Sequence, residues 1–355
     1  MVTMSHQVLE RFATELLTGA RSSRKDAQRV ARALVWSDLR GRHPQGVVRI
    51  PVLATMLKHG LITSPTQMTW SELSAVTYRL NAGNSFGQIA GEEATRKAVY
   101  LAKKSGIGMV VVNNSNHYGA ASYFCALAAE ADCIGMTFTN ATPKVAPYGG
   151  TKPIFGTNPI AFSCPTSSGI PILVDFSTSA IAGSTIRHLK ESGGKLPEGV
   201  ALDTNGLPTT DPAALTIGSL LPAAGPKGYG LGLMVEIFCG ILAGAGMSHE
   251  VGPFYSTWKR NVNSGHLFMA MDISKFQALQ LYFERIDMLI GEIKSSPTLE
   301  GTSEVLFPGE IRGRYLEKYM REGIPLGEET VHALEKLARS LAIEVPWKDS
   351  APVVS

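Results

Sequence analysis

The first 60 residues carry apolar side chains with a period near 3.6 residues, which predicts amphipathic helices. Ser22 and Ser23 precede the second periodic run and offer an N-cap for its helix, because a serine hydroxyl accepts a hydrogen bond from a first-turn amide. The apolar positions are Val8, Leu9, Phe12, Leu16 and Leu17, then Ala27, Val30, Ala31 and Leu34. The chain is therefore predicted to begin with a helical layer.

From about Thr77 the pattern changes to short β-branched runs that are separated by glycine turns and helical stretches. Such runs are typical of strands. The predicted strands are Gly108 to Asn113, Cys133 to Asn140, Ile160 to Cys164, Ile172 to Phe176 and His266 to Ile273. Strands that alternate with helices predict the α/β fold class.

A helical period returns after Ser274 and again between Glu328 and Leu341, and these helices are expected to pack on the N-terminal ones. The first of them has an apolar stripe of Phe276, Leu279, Tyr282, Phe283, Ile286, Leu289 and Ile290. A chain of 355 residues favours more than one lobe. We predict a helical domain from residues 1–76 with 275–355, and a mixed-sheet region over residues 77–274 that binds cofactor and substrate.

Composition narrows the class of protein. The chain is 44% hydrophobic and 18% charged, which excludes general disorder. The net charge of +3 is spread along the chain without a basic block, so no nucleic-acid partner is expected. Glu236 and several glycines interrupt the longest apolar stretch, Leu231 to Ala245, and a polar segment begins near Ser5. Neither a membrane span nor a signal peptide is expected.

The four cysteines, Cys125, Cys133, Cys164 and Cys239, lie in apolar surroundings without a Cys-x-x-Cys pair or a histidine at ligand spacing. Buried free thiols explain them better than a metal or redox site. No metal is therefore expected, and a reducing, cytoplasmic compartment is the default expectation.

The first candidate segment is 38–49, where a helix runs into a Gly/Pro turn that carries Arg40, Arg42, His43, Gln45 and Arg49. An arginine near such a turn suits an anion, because its planar guanidinium meets a carboxylate with two parallel hydrogen bonds. A solvated helix end with surface arginines explains the same spacing. This segment alone decides nothing.

The second candidate is His117, which follows the apolar run 110–112 and precedes an alanine-rich helix. In α/β proteins the crevice beyond the carboxyl end of a strand is the usual ligand site. A histidine there could act as a general acid, since its ordinary pKa lies near neutrality. A histidine that caps the next helix or bonds to backbone is the alternative.

Two further loops, 139–150 and 155–161, contain asparagines among glycines and prolines and are suited to a rigid pocket. Turn chemistry would also explain each loop singly. The glycine fingerprint of a Rossmann dinucleotide fold is absent, because Gly106–Gly108 and Gly228–Gly232 lack its spacing. The residues by themselves indicate an α/β enzyme with a His/Arg site of unknown chemistry.

Motifs along nearly the whole chain match one family in order and spacing. They are Asp38 to Gly41, Asn114 to Ala121, Val145 to Gly150, Gly156 to Ala161, Pro197 to Gly199, Pro208 to Pro212, Lys227 to Leu231, Gly265 to Phe268 and Phe307 to Glu310. In these stretches the chain resembles the type-2 malate/L-lactate dehydrogenase family. The resemblance implies a non-Rossmann cofactor domain, NADH or NADPH as cofactor, and a homodimer whose subunits complete each other's sites.

The resemblance also implies residue roles. His117 would exchange a proton with the substrate oxygen or nitrogen, and Arg49 would clamp the substrate carboxylate. Asn140, Thr157 and Asn158 would line the nicotinamide side of the pocket. Further cofactor contacts are implied for Asp175, Ser177, Thr178, Ser179, Lys227, Gly309 and Glu310.

Two departures from the family pattern matter. Members commonly carry Asp-Ser-His-Gly where this chain has His43-Pro44-Gln45-Gly46. Gln45 can donate a hydrogen bond but has no proton to transfer, and Pro44 fixes the backbone, so His43 is not expected to take over. The family also often has a lysine where this chain has Thr185, which could alter cofactor affinity or choice.

The sequence therefore predicts an NAD(P)H-dependent reductase that transfers a hydride to C2 of a small 2-oxo or cyclic 2-imino carboxylic acid. The predicted catalytic residues are His117, Arg49 and Gln45. An imine that is protonated beforehand needs less help from an acid, which suits the loss of histidine at position 45. The alternatives are a plain malate or lactate dehydrogenase, and a cofactor-binding protein of this fold without turnover.

Overall fold

The computed structural model describes residues 2–216, 218–255 and 258–347. The helices in these ranges are α1 (His6–Gly19), α2 (Arg24–Leu39), α3 (Ile50–Lys58), α4 (Gly87–Ser105), α5 (Ala121–Ala129), α6 (Gly183–Glu191), α7 (Pro226–Glu236), α8 (Leu279–Ser295), α9 (Glu310–Glu322) and α10 (Glu328–Ser340). The strands are β1 (Val2–Met4), β2 (Thr69–Ser74), β3 (Thr77–Asn81), β4 (Ile107–Ser115), β5 (Cys133–Thr139), β6 (Ile160–Cys164), β7 (Ile172–Phe176), β8 (Ala201–Leu202), β9 (Ser219–Leu220), β10 (Ser264–Asp272) and β11 (Ile324–Leu326). Met1 and residues 348–355, which the predicted helical domain includes, lie outside the described residues.

The centre of the molecule is a seven-stranded mixed sheet with the order β2-β3-β4-β10-β5-β6-β7. Only β3 and β4 pair in parallel, and every other neighbouring pair is antiparallel. The α/β prediction is confirmed, and the five predicted strands are present with bounds that differ by at most two residues. The mostly antiparallel order differs from the parallel order of a Rossmann fold, which explains the absent glycine fingerprint.

Helices cover both faces of this sheet. On one face α4 packs through an alanine stripe against Val110 and Val112, and on the other α7 packs near Val111. The alternation follows from the two-residue period of a strand. A Cβ at Gly108 would lie 2.1 Å from the Ala98 carbonyl oxygen, so only glycine lets α4 approach β4 this closely.

A second core joins the two ends of the chain. Residues of α1, α2 and α3 pack with residues of α9, β11 and α10, and β1 pairs with β11. The hydroxyl of Ser23 accepts from the Asp26 amide at 3.2 Å, which confirms the predicted cap of α2. α8 differs from the other C-terminal helices because it packs at the sheet, where Tyr282 lies in a cluster with Cys164 and Ile273. Phe276 precedes this helix and is exposed.

Several strands end or begin at one edge of the sheet. Ser264 pairs with Ser115, His266 with Thr139, and Ile160 with both Phe138 and Phe176. The ends of β4, β5 and β7 therefore lie beside the starts of β6 and β10. We call this the site edge, because it places the segments after Ser115, Thr139 and Phe176 side by side.

Candidate active site

The turn after α2 is fixed by one buried carboxylate. Asp38 accepts from the Val47 amide at 2.8 Å through Oδ2 and lies 2.9 Å from His43 Nδ1 through Oδ1. Burial raises the pKa of Asp38, while the bonds from His43 and Val47 lower it. A Cβ at Gly46 would lie 2.1 Å from Asp38 Oδ1, so the turn accepts only glycine there.

This turn brings two predicted catalytic residues together. Arg49 Nη2 donates to Gln45 Oε1 over a long 3.5 Å. Arg49 is buried, and Gln45 is half-buried. Gln45 thus acts here as an acceptor for the guanidinium.

His117 lies just beyond the end of β4, between that strand and α5. The neighbouring Asn116 fixes the backbone, because its Nδ2 donates to the carbonyl oxygens of Asn84 and Ser85 at 2.9 and 3.0 Å. His117 Nδ1 accepts from the Gly119 amide at 3.3 Å. A neutral ring with that bond carries its proton on Nε2.

Phe254 links His117 to Arg49. Its ring stacks on the His117 ring with centroids 4.5 Å apart and planes 24° apart. The Arg49 Cζ atom lies 5.8 Å from the Phe254 centroid and 5.3 Å from that of Tyr255. The two predicted residues therefore share one aromatic contact. Sequence reasoning missed Phe254, whose only signal was an aromatic pair after Gly252-Pro253.

The predicted nicotinamide residues Asn140 and Asn158 lie at the site edge, where the structure engages both side-chain amides. Asn140 Oδ1 accepts from the Gly265 amide at 2.9 Å, and Asn158 Oδ1 accepts from the Ala141 amide at 3.2 Å. Their Nδ2 atoms both donate to Glu236, a buried carboxylate that sequence reasoning noted only as an interruption of an apolar run.

The segment after β7 carries the predicted cofactor hydroxyls. Ser179 Oγ donates to Ser177 Oγ at 3.0 Å, and the Thr178 amide donates to the Thr157 carbonyl oxygen at 2.9 Å. The Ala223 amide in turn donates to the Thr178 carbonyl oxygen at 2.9 Å, which ties this segment to the loop before α7. Lys227 is exposed in the first turn of α7.

Asp175, at the end of β7, connects three parts of the site. Its Oδ2 accepts from the Ser122 amide at 2.9 Å and lies 3.1 Å from Arg42 Nη2. Ser122 belongs to α5, which follows His117, and Arg42 belongs to the turn that carries Gln45. Asp175 therefore joins the turn that carries Gln45, the helix that follows His117 and the strand that leads to Ser177.

Gly309 and Glu310 lie at the opposite end of β7. The Leu173 amide donates to the Pro308 carbonyl oxygen at 2.8 Å, and a Cβ at Gly309 would lie 2.5 Å from the Pro171 carbonyl oxygen. Glu310 Oε1 lies 2.6 Å from Lys294 Nζ and 2.7 Å from Arg314 Nη2. These two residues are thus separated from Ser177 by about one strand length, roughly 13 Å at 3.3 Å per residue.

A second histidine lies at the site edge. His266 is fully buried, with Nδ1 2.7 Å from Thr139 Oγ1 and Nε2 2.8 Å from Ser115 Oγ. Its ring stacks on Tyr118 at 4.6 Å. Burial lowers the pKa of His266 to about 3, so it stays neutral at pH 7.

The cysteines are free thiols in buried positions. Burial raises the pKa of all four, for Cys133 to about 11. Within 2–216, 218–255 and 258–347, no three His, Cys, Asp or Glu side chains are grouped as metal ligands, and no helix is long and apolar enough to span a bilayer.

Comparison with known proteins decides the family. The model of the malate/L-lactate dehydrogenase family matches residues 4–335. The chain belongs to this family. It is 35% identical over 335 residues to the L-sulfolactate dehydrogenase of Methanothermobacter thermautotrophicus, which covers 94% of this chain and 96% of that protein. It is 30% identical over 326 residues to the ureidoglycolate dehydrogenase (NAD(+)) of Escherichia coli, covering 92% and 93%.

Among solved structures, the delta1-piperideine-2-carboxylate reductase of Pseudomonas syringae superposes with a TM-score of 0.85 at 28% identity, covering 95% of this chain and all of that one. As a malate/L-lactate dehydrogenase family member, the chain is a nicotinamide-dependent dehydrogenase that acts on small carboxylic acids.

The residues of this family member fit a nicotinamide dinucleotide. The pyrophosphate of such a cofactor is anionic. Lys227 is exposed in the first turn of α7, and the loop before that helix is bonded to Thr178 in the hydroxyl-bearing segment Ser177 to Ser179. The amides of Asn140 and Asn158 hold the adjoining loops in place. These are residues that the resemblance to the family assigns to cofactor binding.

Proposed function

We propose that the chain reduces C2 of a small 2-oxo or cyclic 2-imino carboxylic acid with NADH or NADPH. The observation that carries the proposal is the shared contact of His117 and Arg49 with Phe254. The group proposed to exchange a proton and the group proposed to bind the carboxylate therefore both lie near one ring.

The chain's own residues have distinct tasks in this reaction. Arg49 binds the substrate carboxylate, since a guanidinium and a carboxylate pair through two hydrogen bonds. His117 donates a proton from Nε2 to the substrate oxygen or nitrogen as the C2 double bond is reduced. A bound nicotinamide supplies the hydride. Asn140, Thr157, Asn158, Asp175, Ser177, Thr178, Ser179, Lys227, Gly309 and Glu310 form the cofactor side of the site.

The experiment is a titration with NADH and with NADPH, followed by a substrate panel. Binding is measured by nicotinamide fluorescence, and turnover of pyruvate, oxaloacetate and Δ1-piperideine-2-carboxylate by nicotinamide absorbance. We expect micromolar to millimolar binding and turnover of at least one acid. Absence of binding by both cofactors would contradict the proposal.

The contact between Gln45 and Arg49 favours a cyclic 2-imino acid over a 2-oxo acid as the substrate. Gln45 accepts from Arg49 and has no proton to give, so His117 is the acid on which reduction depends. A cyclic imine that is already protonated as an iminium depends less on proton transfer from His117. Gln45→His should therefore raise the turnover of 2-oxo acids by about 10²-fold, the lower end of the usual contribution of a positioned general acid. Gln45→Asn, which adds no titratable group, is the control, and equal gains in both variants would exclude this explanation.

We also propose a homodimer in a reducing, cytoplasmic compartment. The free buried thiols support the compartment. A π-helix, Ile237–Leu242, follows α7. Exposed apolar side chains at four-residue spacing on these two helices, Leu233, Ile237 and Ile241, support an interface with a second copy. Light scattering should give twice the chain mass, and Ile237→Glu should halve it, while Glu284→Lys on exposed α8 should not. A monomeric parent protein would refute the dimer.

A further inference from the structure

Glu236 is a buried carboxylate whose oxygens are held by uncharged donors. Oε2 accepts from Asn158 Nδ2 at 2.7 Å, and Oε1 accepts from the Ser248 amide at 2.7 Å and from Asn140 Nδ2 at 3.4 Å. Burying such a group costs free energy unless its oxygens are bonded. These three N–H donors offset that cost, so the site is built around an acceptor at position 236.

The three donors come from separate segments of the site edge. Asn140 directly follows β5, Asn158 precedes β6, and Ser248 belongs to the loop that follows α7 and its π-helix. Glu236 is the last residue of α7, at the point where the backbone changes to the π-helix Ile237–Leu242. Such π segments are frequent at functional sites. One carboxylate thus connects a helix, two strand ends and a loop.

That loop leads to Phe254. Its start is held by Asn140 Nδ2, which donates to the Gly246 carbonyl oxygen at 2.7 Å, and by the bond from Ser248 to Glu236. Ser248 has φ +48°, a conformation that costs a non-glycine residue free energy and needs such support. Further along, the Gly252 amide donates to the Val262 carbonyl oxygen at 2.7 Å. Segment 246–254 is therefore fixed at several points, with Phe254 at its end.

We propose that Glu236 is a positioning residue for the reaction, which holds segment 246–254 so that Phe254 stays stacked on His117 and close to Arg49. Its oxygens accept from protein donors, and it acts through Phe254. The proposal rests on the proposed function only where it assigns chemistry to His117, since the stacking itself can be measured without turnover.

The decisive variant is Glu236→Gln. It keeps the shape but replaces one acceptor oxygen with an NH₂ group, which must face either the Asn158 amide or the Ser248 amide as donor against donor. We expect segment 246–254 to shift and the Phe254 ring to leave His117. The ring current of a stacked phenylalanine moves imidazole proton signals upfield, so this loss is visible by NMR of protein with labelled histidine, with His117→Gln as the assignment standard.

The expected result is a downfield shift of the His117 ring protons in Glu236→Gln, in the same direction as in Phe254→Leu. In its His117 signals the double variant should resemble Phe254→Leu alone, because the stacked phenyl ring that shifts those signals is already gone. The matched control is Asp272→Asn, which makes the same change at a buried carboxylate paired with Lys103. It should leave the His117 signal in place.

Kinetics provide the second readout. With the best substrate of the panel, Glu236→Gln should lower kcat/KM about 10- to 100-fold, in line with a displacement of about 1 Å at a reacting group. The effect should shrink to less than about twofold in the Phe254→Leu background, as expected for two residues that act through one contact. Both variants are compared at saturating nicotinamide, because Glu236 also bonds Asn140 and Asn158 on the proposed cofactor side. Additive losses under that condition would overturn the proposal. If the protein binds no nicotinamide cofactor, the proposed function is contradicted. The NMR measurement still tests whether Glu236 positions Phe254.

Gly246→Ala is the second variant, in case Glu236→Gln does not fold. A Cβ there would lie 2.9 Å from the Asn263 carbonyl oxygen, so it displaces the same segment from its other side. It should shift the His117 signal in the same direction. An unmoved His117 signal in either folded variant would show that the segment does not position Phe254.

Discussion

His117 and His266 lie at the same edge of one sheet, yet their surroundings differ. His266 is enclosed by the core and has a hydroxyl within hydrogen-bonding distance of each ring nitrogen, and its pKa is about 3. His117 is half-buried in the loop beyond β4, where one nitrogen accepts a backbone amide and the ring stacks on Phe254. A place at the strand ends is therefore insufficient for proton chemistry, because burial and two hydroxyl partners keep the His266 ring neutral at pH 7.

The largest effect is expected from removing His117. His117→Ala should lower kcat by about 10²- to 10⁴-fold, the usual contribution of a positioned general acid. Nicotinamide fluorescence should report cofactor binding within a few-fold of the parent protein. Unchanged turnover would show that His117 is not the proton donor, and that it does not differ from His266 in this respect.

Arg49→Lys should have the next largest effect. Lysine keeps the positive charge but loses the planar pair of donors, so we expect KM for the carboxylate substrate to rise about 10- to 100-fold. Steady-state kinetics measure this change. Arg96→Lys, an exposed arginine on α4, is the matched control and should leave KM as it is. A KM unaffected in Arg49→Lys would contradict the carboxylate clamp.

His266 should influence stability as a function of pH. Its pKa is lowered to about 3 in the folded protein and is near 6.5 when unfolded, so the unfolded chain binds more protons between those values. Stability should therefore fall as pH decreases from about 6.5, by up to about 1.4 kcal/mol per pH unit. His266→Gln should lose this part of the slope. Urea unfolding of the parent protein and of His266→Gln at pH 7, 6 and 5 measures this difference. If the free energy of unfolding depends on pH equally in both proteins, His266 titrates normally.

The sequence allowed much of the sheet to be predicted, because its buried strands have clear β-branched runs. β2 and β3 of that sheet are not among the predicted strands. In β2, Thr69 to Ser74 are exposed along their whole length and lack an apolar face. The start of α8 was placed too early because Phe276 fits the helical period although it is exposed. The division into residues 1–76 with 275–355 and 77–274 stays a prediction.

The site was predictable only in part. Family motifs pointed to His117, Arg49 and Gln45, but the meeting of His117 and Arg49 at Phe254 depends on contacts between residues more than 130 positions apart in sequence. Glu236 had a signal, a lone acid in an apolar run, yet its three donors come from distant segments. Long-range contacts of this kind leave no local pattern.

The position of β10 in the sheet has a consequence for folding. This strand comes late in the chain, at Ser264–Asp272, but it lies between β4 and β5 and pairs with both. During synthesis these two strands emerge more than 120 residues before their shared partner, with open hydrogen-bonding edges that invite pairing with other chains. Since pairing distant segments is slow, the central sheet and its site edge must form after most of the protein has left the ribosome.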